Sequence, residues 1–295
     1  QLVNCAALIA APPVEKSAAA AITDQRLRPS ESSAISAMLS SPHPDPMFPL
    51  RDGIPSRRFP AVTLALIAVN VLLFLYQLTL PEESLTQLFY LFGIVPARLS
   101  DPGWAASVGY AGSGWFSFLS SMFLHGGFLH LAFNMWTLWI FGDNVEDRLG
   151  RGRFLLFYLA GGLAAGGVQW AIDPASTVPT IGASGAIAAV LGAYLVLYPH
   201  SRILTLIPIV FYPLFVHIPA LVYLGIWFLL QLTSGLSAFG PAAGEAGGVA
   251  WWAHVGGFVA GIVLVWVLTP PEAEQLPGPA RHFIYPVPPP RGRWS

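Results

Sequence analysis

The chain has 295 residues, of which 55% are hydrophobic and only 10% are charged, and its formal net charge is −1. An average soluble domain carries about 25% charged residues, so this composition excludes an ordinary soluble protein and favours a chain with several membrane spans. The near-neutral charge gives no support for a nucleic-acid partner, and the single cysteine, Cys5, excludes an internal disulfide and a cysteine-based metal site.

The first 46 residues are rich in Ala, Ser and Pro and show no sustained periodicity, which predicts disorder. The short apolar run Cys5–Ala11 lacks the basic segment that precedes the apolar part of a signal peptide. Met47 opens a stretch that leads directly into the first apolar segment. We therefore expect residues 1–50 to be a disordered extension, with Met47 as the biological start and no function before it.

Six apolar segments follow, and a membrane helix needs about 20 mostly apolar residues. We predict spans at Ala61–Leu80, Phe128–Phe141, Phe154–Ile172, Ile181–Pro199, Leu206–Leu232 and Val249–Leu268. The fifth should be the least regular, because Pro208, Pro213 and Pro219 interrupt it and proline removes a helix donor. The predicted fold is all-α, a polytopic bundle of six transmembrane helices over residues 51–270. A Pro-rich disordered cytoplasmic tail is predicted at 271–295.

Arginines predict the orientation of these spans. They precede span one, separate spans two and three, separate spans four and five, and follow span six: Arg51, Arg57, Arg58, Arg148, Arg151, Arg153, Arg202, Arg281, Arg291 and Arg293. The opposite loops carry only Arg98, so the positive-inside rule places both termini in the cytoplasm. The loop 81–124 is then external and partly apolar, which predicts an amphipathic segment in the outer leaflet.

Polar residues occur near the outer ends of spans two, four and six, where polar groups are costly and usually mark a cavity or a site. They are His125, His130 and Asn134 in span two, Ser184 in span four and His254 in span six. His130 and Asn134 are four residues apart and therefore share one helix face. Because the three spans run in the same direction, the polar residues lie at similar depth and predict one shared site.

Small residues surround the serine and follow the histidine. Gly182 and Gly185 flank Ser184, and span six carries Ala253, Gly257 and Gly261 at four-residue spacing. Such stripes let two membrane helices approach closely, which a serine and a histidine on different helices would need in order to form a nucleophile–base pair.

Each feature also has a simpler interpretation. A lone membrane serine usually bonds to its own helix backbone, and a lone histidine often bridges helices. His125, His130 and Asn134 could line a proton path or hold a metal, although no carboxylate or thiolate lies nearby to complete a typical zinc site. The combination of these features favours a catalytic serine and histidine over any one of the simpler interpretations.

Together these residues resemble the rhomboid family. Gly182-Ala183-Ser184-Gly185 is similar to its GxSG motif, and His254 with Gly257 and Gly261 resembles its histidine helix. His125, His130 and Asn134 match its HxxxxHxxxN pattern, and Glu146 with Arg148 resembles its Glu-x-Arg brace. The resemblance covers roughly residues 50–268. It implies a Ser184–His254 dyad, an oxyanion hole made by His130, Asn134 and the Ser184 backbone N–H, and no cofactor or metal.

The resemblance implies a serine endopeptidase of the bacterial inner membrane that cleaves transmembrane segments of single-pass or polytopic proteins near the outer face. Two departures stand out. Ala188 occupies a position where well-known members carry an aromatic residue that stacks on the histidine, and no Trp-Arg pair occurs in the first external loop.

Other functions are left open or excluded. The open alternative is a rhomboid-like pseudoprotease that acts as a membrane-protein chaperone. A transporter is disfavoured because the spans lack charged residues, and a soluble α/β-hydrolase is excluded by hydropathy.

Overall fold

The computed structural model describes residues 48–110, 112, 114–209, 212–238 and 249–270. The extension before Met47, Met47 itself and the predicted tail from 271 lie outside the described residues. The described elements, in chain order, are β1 (Phe48–Arg51), α1 (Ala61–Gln77), α2 (Glu82–Phe92), α3 (Pro96–Ser100), α4 (Pro102–Ser107), α5 (Ser117–Ser120), α6 (Phe128–Leu149), α7 (Arg151–Ile172), α8 (Ser184–Leu197), β2 (Arg202–Ile209), β3 (Tyr212–Pro219), α9 (Ala220–Ser237) and α10 (Trp251–Leu268).

Three of the described helices, α7, α9 and α10, are long and apolar enough to cross a membrane by length and composition. Two shorter apolar helices, α1 and α8, accompany them. Helix α6 has 22 residues but ends in a charged segment that includes Asp143, Glu146, Asp147 and Arg148. The described part of the chain is therefore mostly helical, with three helices that qualify as membrane spans by length and composition.

Helix α8 forms the centre of the molecule, because every residue from Gly185 to Tyr194 is buried. It packs side by side with α10 at very short range. A Cβ atom added at Gly257 would lie 2.1 Å from the carbonyl oxygen of Gly185, and one at Gly261 would lie 2.0 Å from that of Ala189. The stripe of small residues expected on span six thus brings the backbones of α8 and α10 into contact.

The all-α prediction is wrong in one region, because Arg202–Ile209 and Tyr212–Pro219 form two paired antiparallel strands instead of the first half of a helix. Strands β2 and β3 pair from Arg202↔Pro219 to Ile209↔Tyr212. Pro208 faces Pro213 in this register, and Pro219 ends the hairpin directly before α9. Prolines disfavour a helix interior, while the β-branched and aromatic residues between them favour extended backbone.

The first described residues complete this sheet, which corrects the predicted boundary of the disordered extension. Strand β1 pairs with β2, with Phe48 opposite Leu206 and Pro49 opposite Thr205. The ring of Phe48 stacks on Trp136 of α6, and the Trp136 indole N–H donates to the Pro49 carbonyl at 2.7 Å. Residues 48–50 are ordered because a sheet edge and an aromatic face of α6 hold them.

The segment between α1 and α6 contains α2 to α5, as its partly apolar sequence suggested. Its sequence contains no Trp-Arg pair. Instead, the Arg98 guanidinium lies 4.6 Å from the centre of the Tyr110 ring and donates to the Leu91 carbonyl. Asp101 caps α4 by accepting the backbone N–H of Trp104 at 2.9 Å. The placement of this segment in a membrane leaflet stays a prediction.

Two ends of the helical bundle differ in their polar groups. We call the end where α6, α8 and α10 begin the cavity end, and the end where α6 finishes the brace end. At the brace end, the Glu146 carboxylate accepts the backbone N–H groups of Val62 and Thr63 at 3.0 and 2.7 Å and the Thr63 hydroxyl at 2.8 Å. Glu146 therefore caps the first turn of α1 from a neighbouring helix.

Candidate active site

Ser184 is the first residue of α8, at the cavity end. The preceding Gly182 has a φ of 127°, which L side chains rarely adopt, and its N–H donates to the Ser121 carbonyl at 2.9 Å. A Cβ atom added at Gly182 would lie 2.7 Å from the Nε2 atom of His130. Glycine at this position thus lets the chain turn into α8 while the imidazole of His130 approaches the serine.

His254 lies in the first turn of α10 and reaches Ser184 across the contact between α8 and α10. Its Nε2 atom is 2.8 Å from the Ser184 Oγ. The start of α10 is fixed by Gln169 of α7, whose Oε1 accepts the backbone N–H of Ala253 at 3.2 Å. The predicted pair is therefore within hydrogen-bond reach, which a nucleophile and its general base require.

The other ring nitrogen of His254 faces α9. Its Nδ1 atom is 2.8 Å from Oε1 of Gln231, a buried residue with only 4% of its surface exposed. The rings of Trp227 and Trp251 lie 6.1 and 6.2 Å from the imidazole, centre to centre. Ala188, where the resemblance expects an aromatic residue, is buried in the core of the bundle.

Gln231 was missed at the sequence level, and so were the amides of Gln77 and Gln169. Gln77 of α1 clamps the backbone of His125, donating to its carbonyl at 2.8 Å and accepting its N–H at 3.1 Å. A signal was available, because polar side chains inside apolar spans usually mark interior contacts.

His130 and Asn134 lie on α6 and turn toward the same space as Ser184. The Nδ1 atom of His130 accepts the backbone N–H of Gly126 at 3.4 Å, so its Nε2 carries the proton when the ring is neutral. The Nδ2 atom of Asn134 is buried and has no hydrogen-bond partner among the described residues. Both side chains therefore offer N–H donors to a group bound beside the serine.

One cavity of about 470 Å³ is lined by the four predicted site residues, Ser184, His254, His130 and Asn134. Trp227, Gln231 and Phe48 also line it. His125 is buried behind the cavity, with its ring 5.1 Å from that of His130. Gly185, Gly257 and Gly261 serve the close contact of α8 with α10. Glu146 and Arg148 lie in the last two turns of α6, away from the cavity, and Glu146 holds α1.

A separate polar cluster, centred on Asp52, lies at the brace end. The Asp52 carboxylate accepts Asn144 Nδ2 at 2.6 Å and the Tyr194 hydroxyl at 2.7 Å, and the neighbouring Asp143 accepts the Ser56 hydroxyl. Burial raises the pKa of Asp52 from 3.8 to about 7, against the opposing effect of the Tyr194 hydrogen bond. This cluster ties the segment after β1 to α6 and α8 and takes no part in the cavity.

The cavity combines the parts of a serine hydrolase site: a hydroxyl, an imidazole on it, and N–H donors converging from α6 and α8. The N–H of Ser184 belongs to the first turn of α8, whose N–H groups have no partner within their own helix. Within the described residues, no three His, Cys, Asp or Glu side chains are grouped so as to hold a metal ion. The hydroxyl, the imidazole and the N–H donors have the relative positions that acyl transfer requires.

Comparison with known proteins gives a family match over residues 112–271, to the Rhomboid domain. The chain is 35% identical over 136 residues to rhomboid protease GluP of Bacillus subtilis (strain 168) and 32% identical over 139 residues to YdcA of the same organism. It is 31% identical over 163 residues to mitochondrial Rhomboid protein 1 of Saccharomyces cerevisiae. These alignments cover 46%, 47% and 54% of this chain and 24%, 63% and 43% of the relatives, less than two thirds of each.

Proposed function

Since this chain belongs to the rhomboid family, we propose that it is an intramembrane serine endopeptidase with Ser184 as nucleophile and His254 as general base. The observation that carries the proposal is the 2.8 Å distance between Ser184 Oγ and His254 Nε2, which joins two helices 70 residues apart in sequence. The name of GluP, which describes a rhomboid protease, supports the same class of activity.

The reaction begins when His254 takes the hydroxyl proton of Ser184 as the Oγ atom attacks the carbonyl carbon of a peptide bond. The carbonyl oxygen becomes an oxyanion in a tetrahedral intermediate. When the C–N bond breaks, His254 returns the proton to the leaving amine and Ser184 holds the acyl group as an ester. A water molecule, deprotonated by His254, then hydrolyses the ester and releases the serine hydroxyl.

Three donors form the oxyanion hole in this proposal: Asn134 Nδ2, His130 Nε2 and the backbone N–H of Ser184. The unpartnered Nδ2 of Asn134 and the proton on Nε2 of His130 support this assignment. Such donors act on the charge that develops in the transition state, and one of them can be worth about 10²–10³ in rate.

The proposed topology has six spans, formed by α1, α6, α7, α8, α9 and α10, in a catalytic unit over residues 51–270 to which β1 is added. The proposed location is a bacterial inner membrane, with both termini in the cytoplasm. The distribution of arginines supports a cytoplasmic position for the brace end. The cavity then opens toward the outer face, where water is available.

The proposed substrates are transmembrane segments of other membrane proteins. A membrane helix hides its carbonyl groups in its own hydrogen bonds. A substrate must therefore unwind locally before Ser184 can reach a peptide bond, and residues that weaken a helix near its outer end should favour cleavage.

Detergent-solubilised protein tests the proposal with a fluorophosphonate probe and a model transmembrane substrate. The wild type should label at Ser184 and cut the substrate, and Ser184→Ala and His254→Ala should each abolish cleavage while thermal unfolding stays the same. Ser237→Ala is the matched control, because this exposed hydroxyl of α9 bonds to its own helix at Thr233. Turnover by purified Ser184→Ala would disprove the assignment, and substrate binding without cleavage by the wild type would instead support the pseudoprotease.

A further inference from the structure

We propose that Gln231 is a positioning residue for His254, with its amide oxygen in the place where many serine hydrolases carry a carboxylate. The inference rests on the proposed function of the same site. It also answers how His254 is oriented when Ala188 offers no ring to stack on. The site is then a relay of three side chains from three helices: Ser184 of α8, His254 of α10 and Gln231 of α9.

The hydrogen-bond chemistry fixes the tautomer of His254. An amide oxygen only accepts, so the contact of 2.8 Å between Gln231 Oε1 and His254 Nδ1 requires a proton on Nδ1. The neutral ring then has its lone pair on Nε2, the atom that lies 2.8 Å from Ser184 Oγ. This is the tautomer that can take the serine proton, and the opposite tautomer could not.

Burial explains why an amide can serve here in place of a carboxylate. Gln231 is 4% exposed and lies among apolar helices, where an ionised carboxylate would carry a large desolvation cost. A neutral amide supplies the acceptor without placing a charge in the bundle. The consequence is that Gln231 sets the orientation of His254 but adds no full negative charge to stabilise the imidazolium.

Aromatic rings complete the positioning. Trp227 precedes Gln231 by four residues on α9 and lies on the same helix face, tilted by 36° to the imidazole. Trp251 meets the ring edge-on, at 90°. The two indoles limit rotation of the imidazole, so the Gln231 contact and the Ser184 contact are held at the same time.

Two substitutions separate positioning from packing. Gln231→Met keeps the length of the side chain and removes the acceptor, and we expect it to lower kcat by about 10- to 100-fold with little change in KM, the loss typical of an orienting partner. Gln231→Glu keeps an acceptor oxygen and should restore most of kcat.

The measurements are kcat and KM on the model substrate, the rate of fluorophosphonate labelling, and thermal unfolding, all on one preparation of each variant. His130 of α6 interacts electrostatically with His254. His130 is therefore left unchanged in every variant of the series. Thr233→Val is the matched control on α9, because Thr233 is exposed and bonds to its own helix at Leu229.

The outcomes are distinct. Slow labelling and low kcat in Gln231→Met at unchanged stability, with kcat restored in Gln231→Glu, would support the relay. Normal kcat per folded molecule in Gln231→Met, or a kcat that stays low in a Gln231→Glu protein of unchanged stability, would overturn it. If Ser184→Ala cuts the substrate, the proposed function fails as a whole. If Ser184→Ala is inactive and Gln231→Met is normal, only the role of Gln231 is wrong.

Discussion

The two ends of α6 carry buried polar residues that differ in their hydrogen bonds. At the cavity end, Asn134 has an amide nitrogen with no protein partner among the described residues. At the brace end, twelve residues and about 18 Å further along the helix, Glu146 accepts three hydrogen bonds. A buried donor without a partner lowers the stability of the folded state, and a carboxylate whose oxygens accept hydrogen bonds raises it. One helix thus has an amide donor without a partner at one end and a fully hydrogen-bonded carboxylate at the other.

The largest test of this comparison is Asn134→Ala. If its amide binds the oxyanion, kcat should fall far more than KM rises, by about 2.7–4 kcal/mol in transition-state stabilisation. Fluorophosphonate labelling should slow as well, and the melting temperature in detergent should change little. The matched control is Asn70→Ala, another buried asparagine, which bonds to its own helix at Leu66 and should leave kcat unchanged. A destabilised Asn134→Ala with normal kcat would show that Asn134 is structural.

The converse test is Glu146→Ala at the brace end. The variant leaves the first turn of α1 without its cap, which should cost about 0.5–2 kcal/mol of unfolding free energy. Activity per folded molecule should stay close to that of the wild type. Glu83→Ala, at an exposed glutamate of α2, is the control. Unchanged stability with reduced kcat would contradict the division of roles between the two ends.

The smallest expected effect concerns the pH dependence of stability. Because burial raises the pKa of Asp52 to about 7, the folded chain keeps a proton that the unfolded chain releases from about pH 4 upward. This group therefore favours the folded state less as the pH rises from about 4 to about 7. Asp52→Asn stays neutral throughout that range, so its melting temperature should fall less across the range than that of the wild type.

Thermal unfolding of both proteins at the two ends of this range checks the prediction. Asp173→Asn, at an exposed aspartate beyond the end of α7, is the matched control and should behave as the wild type does. Equal pH dependence of Asp52→Asn and the wild type would show that Asp52 ionises without an effect on folding.

Hydropathy and polar placement predicted the helices that build the site, because these signals are local. Helix α1 begins at Ala61 as expected, and α6 begins at Phe128 and continues beyond Phe141 to Leu149. The small residues around Ser184 and after His254 predicted a close contact of two helices, and therefore a pair formed by these two side chains. The motif residues were visible for the same reason, since polar groups in apolar spans are rare.

The contacts that sequence could not supply depend on how elements are rotated and paired. The apolar run from Leu206 has the hydropathy of a span whether it forms a strand or a helix, and only the three prolines hinted at the hairpin. Strand β1 has four residues and acquires its structure from β2 and Trp136. Gln231 reaches His254 because α9 is turned toward α10, and nothing in the local sequence of α9 fixes that rotation.

The cap on α1 has a consequence for biosynthesis. Thr63 and its acceptor Glu146 are 83 residues apart, so the ribosome finishes the first span long before it makes the residue that satisfies its amino end. Backbone N–H groups without partners are costly in lipid, so under the proposed topology this end must wait at the water interface. Under that topology the first span is inserted early, and its amino end is capped only later, when the end of α6 has been synthesised and packs against it.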